Sequence, residues 1–431
     1  MTAPEVTMIR PDCQTGSTAP ESAPPTSAVS RSGRGGLLRE RDYRSWFFAQ
    51  ILSSAGLQTQ NIGAAWLVYL QTHSGLALAL LIVAGQGPGL LLSLFTGTVV
   101  DRLGPRAVLL CTQIAALVAS GSLGVITLAS GAPDVRIIYA LTFVAGVITA
   151  FDGPARQLIV VQYVGREHLP QAIGLYEVSL SLARMTGPAI GGVLLGTLGP
   201  AVCFLVNAIT YLPPALVLLR YPPRFSPPRH AAAPRRRVRD AVRVALRSPP
   251  IRSCLLLAVV STTLVSTTSY FPQFASESLH LPSAGYGALV ACLGVGSLPG
   301  AILASKLGRR DRGRRVVFAA AATGLATLIT GLGPAALAFP GAVLCGMCSI
   351  CLIALANTVT QLASPDDLRG GIMGAWTMVM PGMGPITGIG VGSIADHWGP
   401  RWSFVVIAIC FTACAAACWR PLNRTGDRTE P

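Results

Sequence analysis

Two stretches from distant parts of the chain read alike: GTVVDRLGPR over Gly97–Arg106 and GSIADHWGPR over Gly392–Arg401, with Gly, Asp, Gly, Pro and Arg in matching places. A shorter copy, GVLLGTLGP, covers Gly192–Pro200, and a degraded one, AILASKLGRR, covers Ala301–Arg310. Each closes an apolar run. Gly and Pro recur at helix ends in general, but that alone does not put the same ending on every third run.

The apolar runs lie at about 46–70, 76–99, 107–129, 136–160, 172–198, 201–219, 252–274, 284–305, 315–333, 335–362, 371–395 and 402–419, twelve in number. Each is close to the ~20 residues that cross ~30 Å of hydrocarbon. Of the 431 residues, 51% are hydrophobic and 12% charged, where an average soluble domain carries roughly 25% charged residues. Gly and Pro inside the runs would damage soluble helices but are common in membrane helices that pack closely or bend. The sequence predicts an all-α membrane protein of twelve transmembrane helices.

A formal net charge of +15 is compatible with a nucleic-acid partner or with a membrane orientation signal, and placement decides between them. With the amino terminus inside, the inner connections hold Arg31 to Arg44, Arg102 and Arg106, Arg166, the stretch 220–252, Lys306 to Arg315, Arg369, and Arg420 to Arg428; the outer connections hold Arg136 and Arg401. This obeys the positive-inside rule, and the reverse orientation breaks it. Both termini are expected in the cytoplasm, with the chain multi-pass in the inner (cytoplasmic) membrane. No nucleic-acid partner is expected, because no base-reading module accompanies the arginines.

Residues 1–40, rich in Pro, Ser, Thr and Gly, read as a disordered cytoplasmic tail without the apolar core of a signal peptide, and 421–431 as a second tail. Between a first bundle over 41–220 and a second over 251–420 lies a basic linker, 221–250. Its Pro-rich start reads as flexible. Val238, Val242 and Leu246, at helical spacing among the arginines of Arg235–Arg247, predict an amphipathic helix on an anionic leaflet.

Under this topology the endings of runs 2 and 8 face the cytoplasm and those of runs 5 and 11 face outward. Copies of one element in opposite orientation are what inverted repeats produce. Two six-helix halves, each of inverted three-helix units, would rock about a central site in alternating access.

At these residues the chain resembles the major facilitator superfamily, over nearly all of 40–420. Gly97, Asp101, Arg102, Gly104 and Arg106 resemble that family's loop signature between helices 2 and 3, with Pro105 where a basic residue is usual. The resemblance implies a conformational lock of helices 2, 4 and 11 in the outward-facing state. Asp101 would accept hydrogen bonds from the amino-terminal end of helix 11, and an Arg would pair with an acid on helix 4, for which Asp152 in FDGPARQ is the candidate. Gly187, Pro188, Gly191 and Gly192, in ARMTGPAIGG, resemble the Gly-Pro signature of antiporting members, which implies a tight, bent gate and export. QTQNIGAAWLVYLQTHSG (Gln58–Gly75), FDGPARQ (Phe151–Gln157) and SPDDLRGG (Ser364–Gly371) are similar to the subgroup of the enterobactin exporter and macrolide efflux proteins, Gly371 standing where a second Arg is frequent.

A cavity near the midplane would be lined by polar groups of the central helices. Candidates are Gln58, Gln60 and Asn61 in run 1, Asn207 in run 6, Thr262, Thr263 and Thr267 in run 7, and Asn357 in run 10. Such groups also glue helices to one another. Proton coupling needs an ionisable group within the membrane, and Glu177 or Asp152 is the candidate. Glu177 lies two turns before Arg184 on one helical face. An unpaired intramembrane Arg costs at least roughly 2.5 kcal/mol, so Arg184 is expected to face the cavity with water or a partner.

Other chemistries fit less well. Cys345, Cys348 and Cys351 have an iron–sulfur spacing but sit in an apolar run without the fourth Cys and Pro, and Cys410, Cys414 and Cys418 share one helix face; both sets read as packing. Asp366 and Asp367 lack the second acidic cluster an integral-membrane prenyl transferase would need. No catalytic residue, metal or cofactor is expected. The expectation is a monomeric secondary transporter exporting a drug, siderophore or secondary metabolite in exchange for protons, the alternatives being an importer on the same fold or an integral-membrane enzyme.

Overall fold

The computed structural model describes residues 37–164, 168–222, 243–307, 312–365 and 368–423; some side chains within helices, that of Glu177 among them, are not described. The amino-terminal tail, Arg166, most of the basic linker with Val238 and Val242, Asp366, Asp367 and the residues after Asn423 lie outside the described residues.

The chain runs through α1 (Arg41–Thr72), α2 (Gly75–Leu103), α3 (Pro105–Ser130), α4 (Val135–Val164) and α5 (Leu169–Leu198). α6 consists of Pro200–Thr210 and Leu212–Arg220, interrupted at Tyr211 before two prolines without backbone donors. After a helical turn at 243–247 come α7 (Pro249–Gln273), α8 (Ser283–Lys306), α9 (Arg312–Leu332), α10 (Ala335–Ala363), α11 (Arg369–Trp398) and α12 (Pro400–Asn423). Among the described residues, ten helices, α2 to α6 and α8 to α12, are long and apolar enough to cross a membrane. α7 contributes a shorter apolar stretch, Pro249–Leu264. The middle of α1 is diluted by Gln58, Thr59, Gln60 and Asn61.

The repeated ending has one backbone meaning. Gly104, Gly199 and Gly399 terminate α2, α5 and α11 at φ of 82°, 86° and 91°, a region nearly closed to residues carrying a Cβ. Pro105, Pro200 and Pro400 then open α3, α6 and α12, where a missing N–H is harmless and the fixed φ already suits a helix. The fourth copy's Gly308 lies outside the described residues.

Packing repeats with an offset of six helices. α1 packs on α5 and α6, α2 on α4, and α3 on α4 and α6; correspondingly α7 packs on α11 and α12, α8 on α10, and α9 on α10 and α12. The two sets meet chiefly along α5 with α8 and α2 with α11, again related by the same offset. Large apolar side chains such as Leu128, Leu216, Leu325 and Ile409 stand exposed along the outside of the helices. An apolar surface that wide is suited to lipid rather than water.

The end at which α1 begins carries Arg41, Arg44, Arg102, Arg106, Lys306 and Arg420, and is termed the basic end. Asp134, Glu277 and Asp396 lie at the other, far end.

Candidate functional site

The seam between the two sets is closed at the far end. There the helices approach through glycine, because only a missing side chain lets two backbones touch. A Cβ on Gly192 of α5 would lie 2.6 Å from the Cα of Gly287 on α8, and one on Gly392 of α11 would lie 2.7 Å from the carbonyl oxygen of Gly75 on α2. Trp66 of α1 stacks on Tyr286 of α8 with ring centroids 6.0 Å apart, and the Tyr69 hydroxyl donates to Glu277 at 3.3 Å.

A carboxylate completes the seal. Asp396, near the end of α11, accepts from the Ser74 hydroxyl at 2.8 Å and from the backbone N–H groups of Gly75 and Leu76, at 2.5 and 2.9 Å. These are the first donors of α2, which have no partner inside the helix and lie at its positive end. Ser74 also accepts from the Ala77 N–H at 3.3 Å, so it caps its own helix while donating across the seam.

Towards the basic end the contact is lost. At mid-depth a Cβ on Gly384 of α11 would still lie 2.9 Å from Gln86 Oε1 of α2. Beyond that level a Cβ on Gly382 of α11 would meet Leu90 of α2 at 3.5 Å, and nearer the basic end Gly97 on α2 and Gly374 on α11 have nothing within 4 Å of where a Cβ would sit. Asp101 and Arg102 are exposed and make no hydrogen bond or ion pair among the described residues. A Cβ on Gly104 would meet nothing within 4 Å, and Arg106 Nε donates to the Leu218 carbonyl at 3.1 Å, within its own half. The seam is therefore shut at the far end and parted at the basic end.

The acid on α4 is not held as the resemblance implied. Asp152 forms an ion pair with Arg156, one turn on in its own helix, and accepts from Gln113 Nε2 at 2.8 Å and Thr112 Oγ1 at 3.2 Å on α3. The reason is depth: twelve residues separate it from the end of α4 at Val164, about 18 Å along the axis, whereas Arg102 lies at the very end of α2. Asp152 is thus in mid-span, not near the inner end of the helix.

The Gly-Pro signature of α5 sits where two helices are in contact. A Cβ on Gly187 would lie 2.6 Å from both the Ala55 carbonyl oxygen and Gln58 Cβ of α1, and one on Gly191 3.1 Å from Thr59 Cα. Thr59 Oγ1 donates to the Gly187 carbonyl at 3.0 Å. Pro188 is buried and brings no N–H to the carbonyl of residue 184. Against that orphaned carbonyl packs Gly294 of α8, its position too close for any side chain. Gly187 and Gly191 serve the α1 contact, whereas Pro188 and Gly192 serve the α8 contact.

The polar candidates divide. Gln60 and Asn207 do not line a cavity. Asn207 Nδ2 donates to Gln60 Oε1 at 2.7 Å, to Ser120 Oγ at 3.2 Å and to the Tyr211 hydroxyl at 3.4 Å, all inside the first half. Both residues are buried, because the Gln60 face of α1 is the one that packs on α6. Thr262 likewise bonds Thr387 of α11 through their hydroxyls at 3.1 Å. Asn61 is exposed and donates to Gln58 at 3.3 Å. It lies nine residues from both Leu52 and Leu70, which are each 48% exposed, and nine steps of about 100° put it on the face opposite that lipid-facing line. Asn357 is half-buried and accepts from Gln361 Nε2 at 2.7 Å. The side chains of Thr267 and Glu177 are not described.

Arg184, sixteenth of the 30 residues of α5, is exposed and has no hydrogen bond or ion pair among the described residues. Val193, nine residues on and 60% exposed, marks the lipid face on the opposite side of the helix. Arg184 faces the interior between the halves.

Sequence reasoning alone does not single out Asp396, Tyr286 or Glu277. The signal for Asp396 is the match between the two ten-residue endings, which aligns it with Asp101.

Two pseudo-symmetric sets of helices meeting along glycine seams, with a carboxylate clasp at one end and an unengaged copy of it at the other, define a polytopic membrane transporter of the major facilitator fold. The chain belongs to the family described as transmembrane secretion effector, whose model matches residues 36–429, and thus to a group of transporters rather than enzymes. It is 26% identical over 375 residues to the multidrug efflux pump Tap of Mycolicibacterium fortuitum, covering 84% of this chain and 91% of that one. It is 27% identical over 345 residues to the enterobactin exporter EntS of Citrobacter koseri, covering 78% and 80%. Among solved structures, a bacterial homologue of the lysosomal transporter Spinster, in an inward-facing and unoccupied conformation, superposes with TM-score 0.69 at 15% identity over 91% of this chain and 99% of that one. A bacterial homologue of ferroportin, also inward-facing, gives 0.66 at 14% identity over 91% and 100%.

Proposed function

We propose that this chain exports a small organic molecule across the cytoplasmic membrane by alternating access, in exchange for protons. The observation that carries alternating access is the clasp of Asp396 on the amino-terminal end of α2, set against the unengaged Asp101 at the basic end. The two aspartates hold the same place in inverted copies of one element. With the basic end in the cytoplasm, as the positive-inside rule favours, α1 to α12 are twelve spans and the structure is the state open to the cytoplasm. In the opposite state Asp101 takes the amino-terminal end of α11 as Asp396 now takes that of α2, and the far-end glycine seams part. The two six-helix halves, over 41–220 and 251–420, move as bodies while Pro188 and Gly192 ride on α8.

Outward direction is supported by the likeness to two exporters and by the Gly-Pro signature. An importer on the same fold is the competing reading. Accumulation of a dye or antibiotic by cells expressing the chain, with and without a protonophore, separates them: export lowers accumulation and the protonophore restores it, whereas import raises it. Proton coupling falls to Glu177 or Asp152, the carboxylates set within α5 and α4. Efflux driven by an imposed pH gradient in Glu177→Gln and Asp152→Asn tests this, and coupling undiminished in both sinks it.

A further inference from the structure

We propose that Arg184 is the group that recognises the cargo, and that the cargo carries an organic oxyanion such as a carboxylate or phenolate. This deepens the export reading and rests on it.

α5 rests on α1 through Gly187 and Gly191, rests on Gly287 of α8 through Gly192, and meets lipid at Val193. Arg184 lies on the side away from lipid, in the angle between the α1 and α8 contacts and about a turn nearer the basic end than Gly187, at half the depth of the span. Its backbone is fixed on both sides: Gly187, one turn on, is in contact with Gln58, and Gly294 is seated on the carbonyl of Arg184 itself. The guanidinium is therefore presented at a set height into the space that opens at the basic end. Gln58 and Asn61, on the inward line of α1, continue the same strip over the next turn and a half, already bonded to each other at 3.3 Å.

A guanidinium stays charged at any physiological pH and offers five donors in a planar fork. Open to the cytoplasm, water satisfies it. Once the halves close over a bound molecule that water is displaced, and among the described residues no carboxylate pairs with Arg184 to balance its charge, which makes that burial strongly unfavourable. A cation in the site would be repelled, and a neutral molecule would leave the fork unpaired. An oxyanion accepts two parallel hydrogen bonds and neutralises the charge, while the amides of Gln58 and Asn61 can bond hydroxyl or carbonyl groups beside it. An inside-negative membrane potential also favours the outward passage of an anion.

The test uses two dyes with the same xanthene core, the anion 5-carboxyfluorescein and the cation rhodamine 123, whose carboxyl is blocked as a methyl ester. Binding is read by anisotropy on the detergent-purified full chain, and transport in proteoliposomes with an imposed pH gradient. The native chain should bind and move the anion in preference. Arg184→Gln should lose affinity for it by about tenfold or more, the size of a charge-assisted pair, with rhodamine 123 unaffected; Arg184→Lys should keep part of it. Preference for the cation, or an Arg184→Gln variant that handles the anion as the native chain does, overturns the proposal and leaves export standing. Equal loss for both dyes makes Arg184 structural and overturns it as well. A native chain that binds and moves neither dye, yet lowers antibiotic accumulation in cells, rejects the anion site; one that fails there too rejects export with it.

Discussion

Asp396 Oδ2 accepts a hydrogen bond from Ser74 Oγ at 2.8 Å across 322 residues of sequence, joining the last turns of α11 to the first of α2. The bond joins the halves where the chain's own helix geometry supplies a positive end and unpaired donors. Ser74→Ala removes this bond to a carboxylate, worth about 1.5 kcal/mol and made only with the far end closed, which weakens that state about tenfold relative to the open one. Pulsed-EPR distances between spin labels on Ser130 and Leu332, at the far ends of α3 and α9 in a cysteine-free background, should show a larger open fraction.

Gly287 lies against Gly192 without room for a methyl group. Gly287→Ala should therefore hold the far end apart while each half still folds. Transport should fall by more than an order of magnitude, given the cost of overpacking a tight helix contact, typically ~1–3 kcal/mol for each added group and more against backbone. The same far-end labels should report a persistently longer distance, with detergent-solubilised protein remaining monodisperse.

The pair of Asp152 with Arg156 is largely buried. Asp152→Asn leaves Arg156 as an uncompensated charge, a loss of about 3–5 kcal/mol, and should lower the thermal midpoint in detergent markedly. Adding Arg156→Gln should recover part of that loss. Full additivity of the two single changes would show the residues to be uncoupled.

Asn207 and Asn61 look alike in sequence and should behave oppositely. Asn207→Ala empties a buried network and should cost about 1–3 kcal/mol of stability, with cargo preference unchanged in the surviving protein. Asn61→Ala exposes nothing buried, so stability should hold while transport of the cargo changes. A thermal-shift assay paired with dye efflux on both variants checks the contrast.

Much of the architecture is legible in the amino-acid sequence itself. Apolar runs of spanning length, Arg placement and a repeated Gly-Pro ending are local properties, and local chemistry dictates them: Gly104, Gly199 and Gly399 adopt one glycine-only conformation at three of the four repeats. Depth and facing are not legible there. Asp152 lies about 18 Å in from the end of α4, away from the level of Arg102 at the end of α2, because a motif shows order along a chain and not height in a membrane. Gln60 and Asn61 are adjacent in sequence, yet a step of about 100° sends one to Asn207 and the other to the interior. Asp396 does not stand out in the sequence because its role exists only when α11 meets α2, a contact made by tertiary structure alone.

The central claim is that Asp396 and Asp101 are reciprocal clasps. It is tested most directly by measuring both ends at once, with spin labels on Ser130 and Leu332 for the far end and on Arg220 and Arg420 for the basic end, in the native chain, in Asp396→Asn and in Asp101→Asn. Asp396→Asn should lengthen the far-end distance and shorten the basic-end one, and Asp101→Asn should shift both populations the opposite way. Shifts in the same direction for the two variants, or none in either, would contradict it.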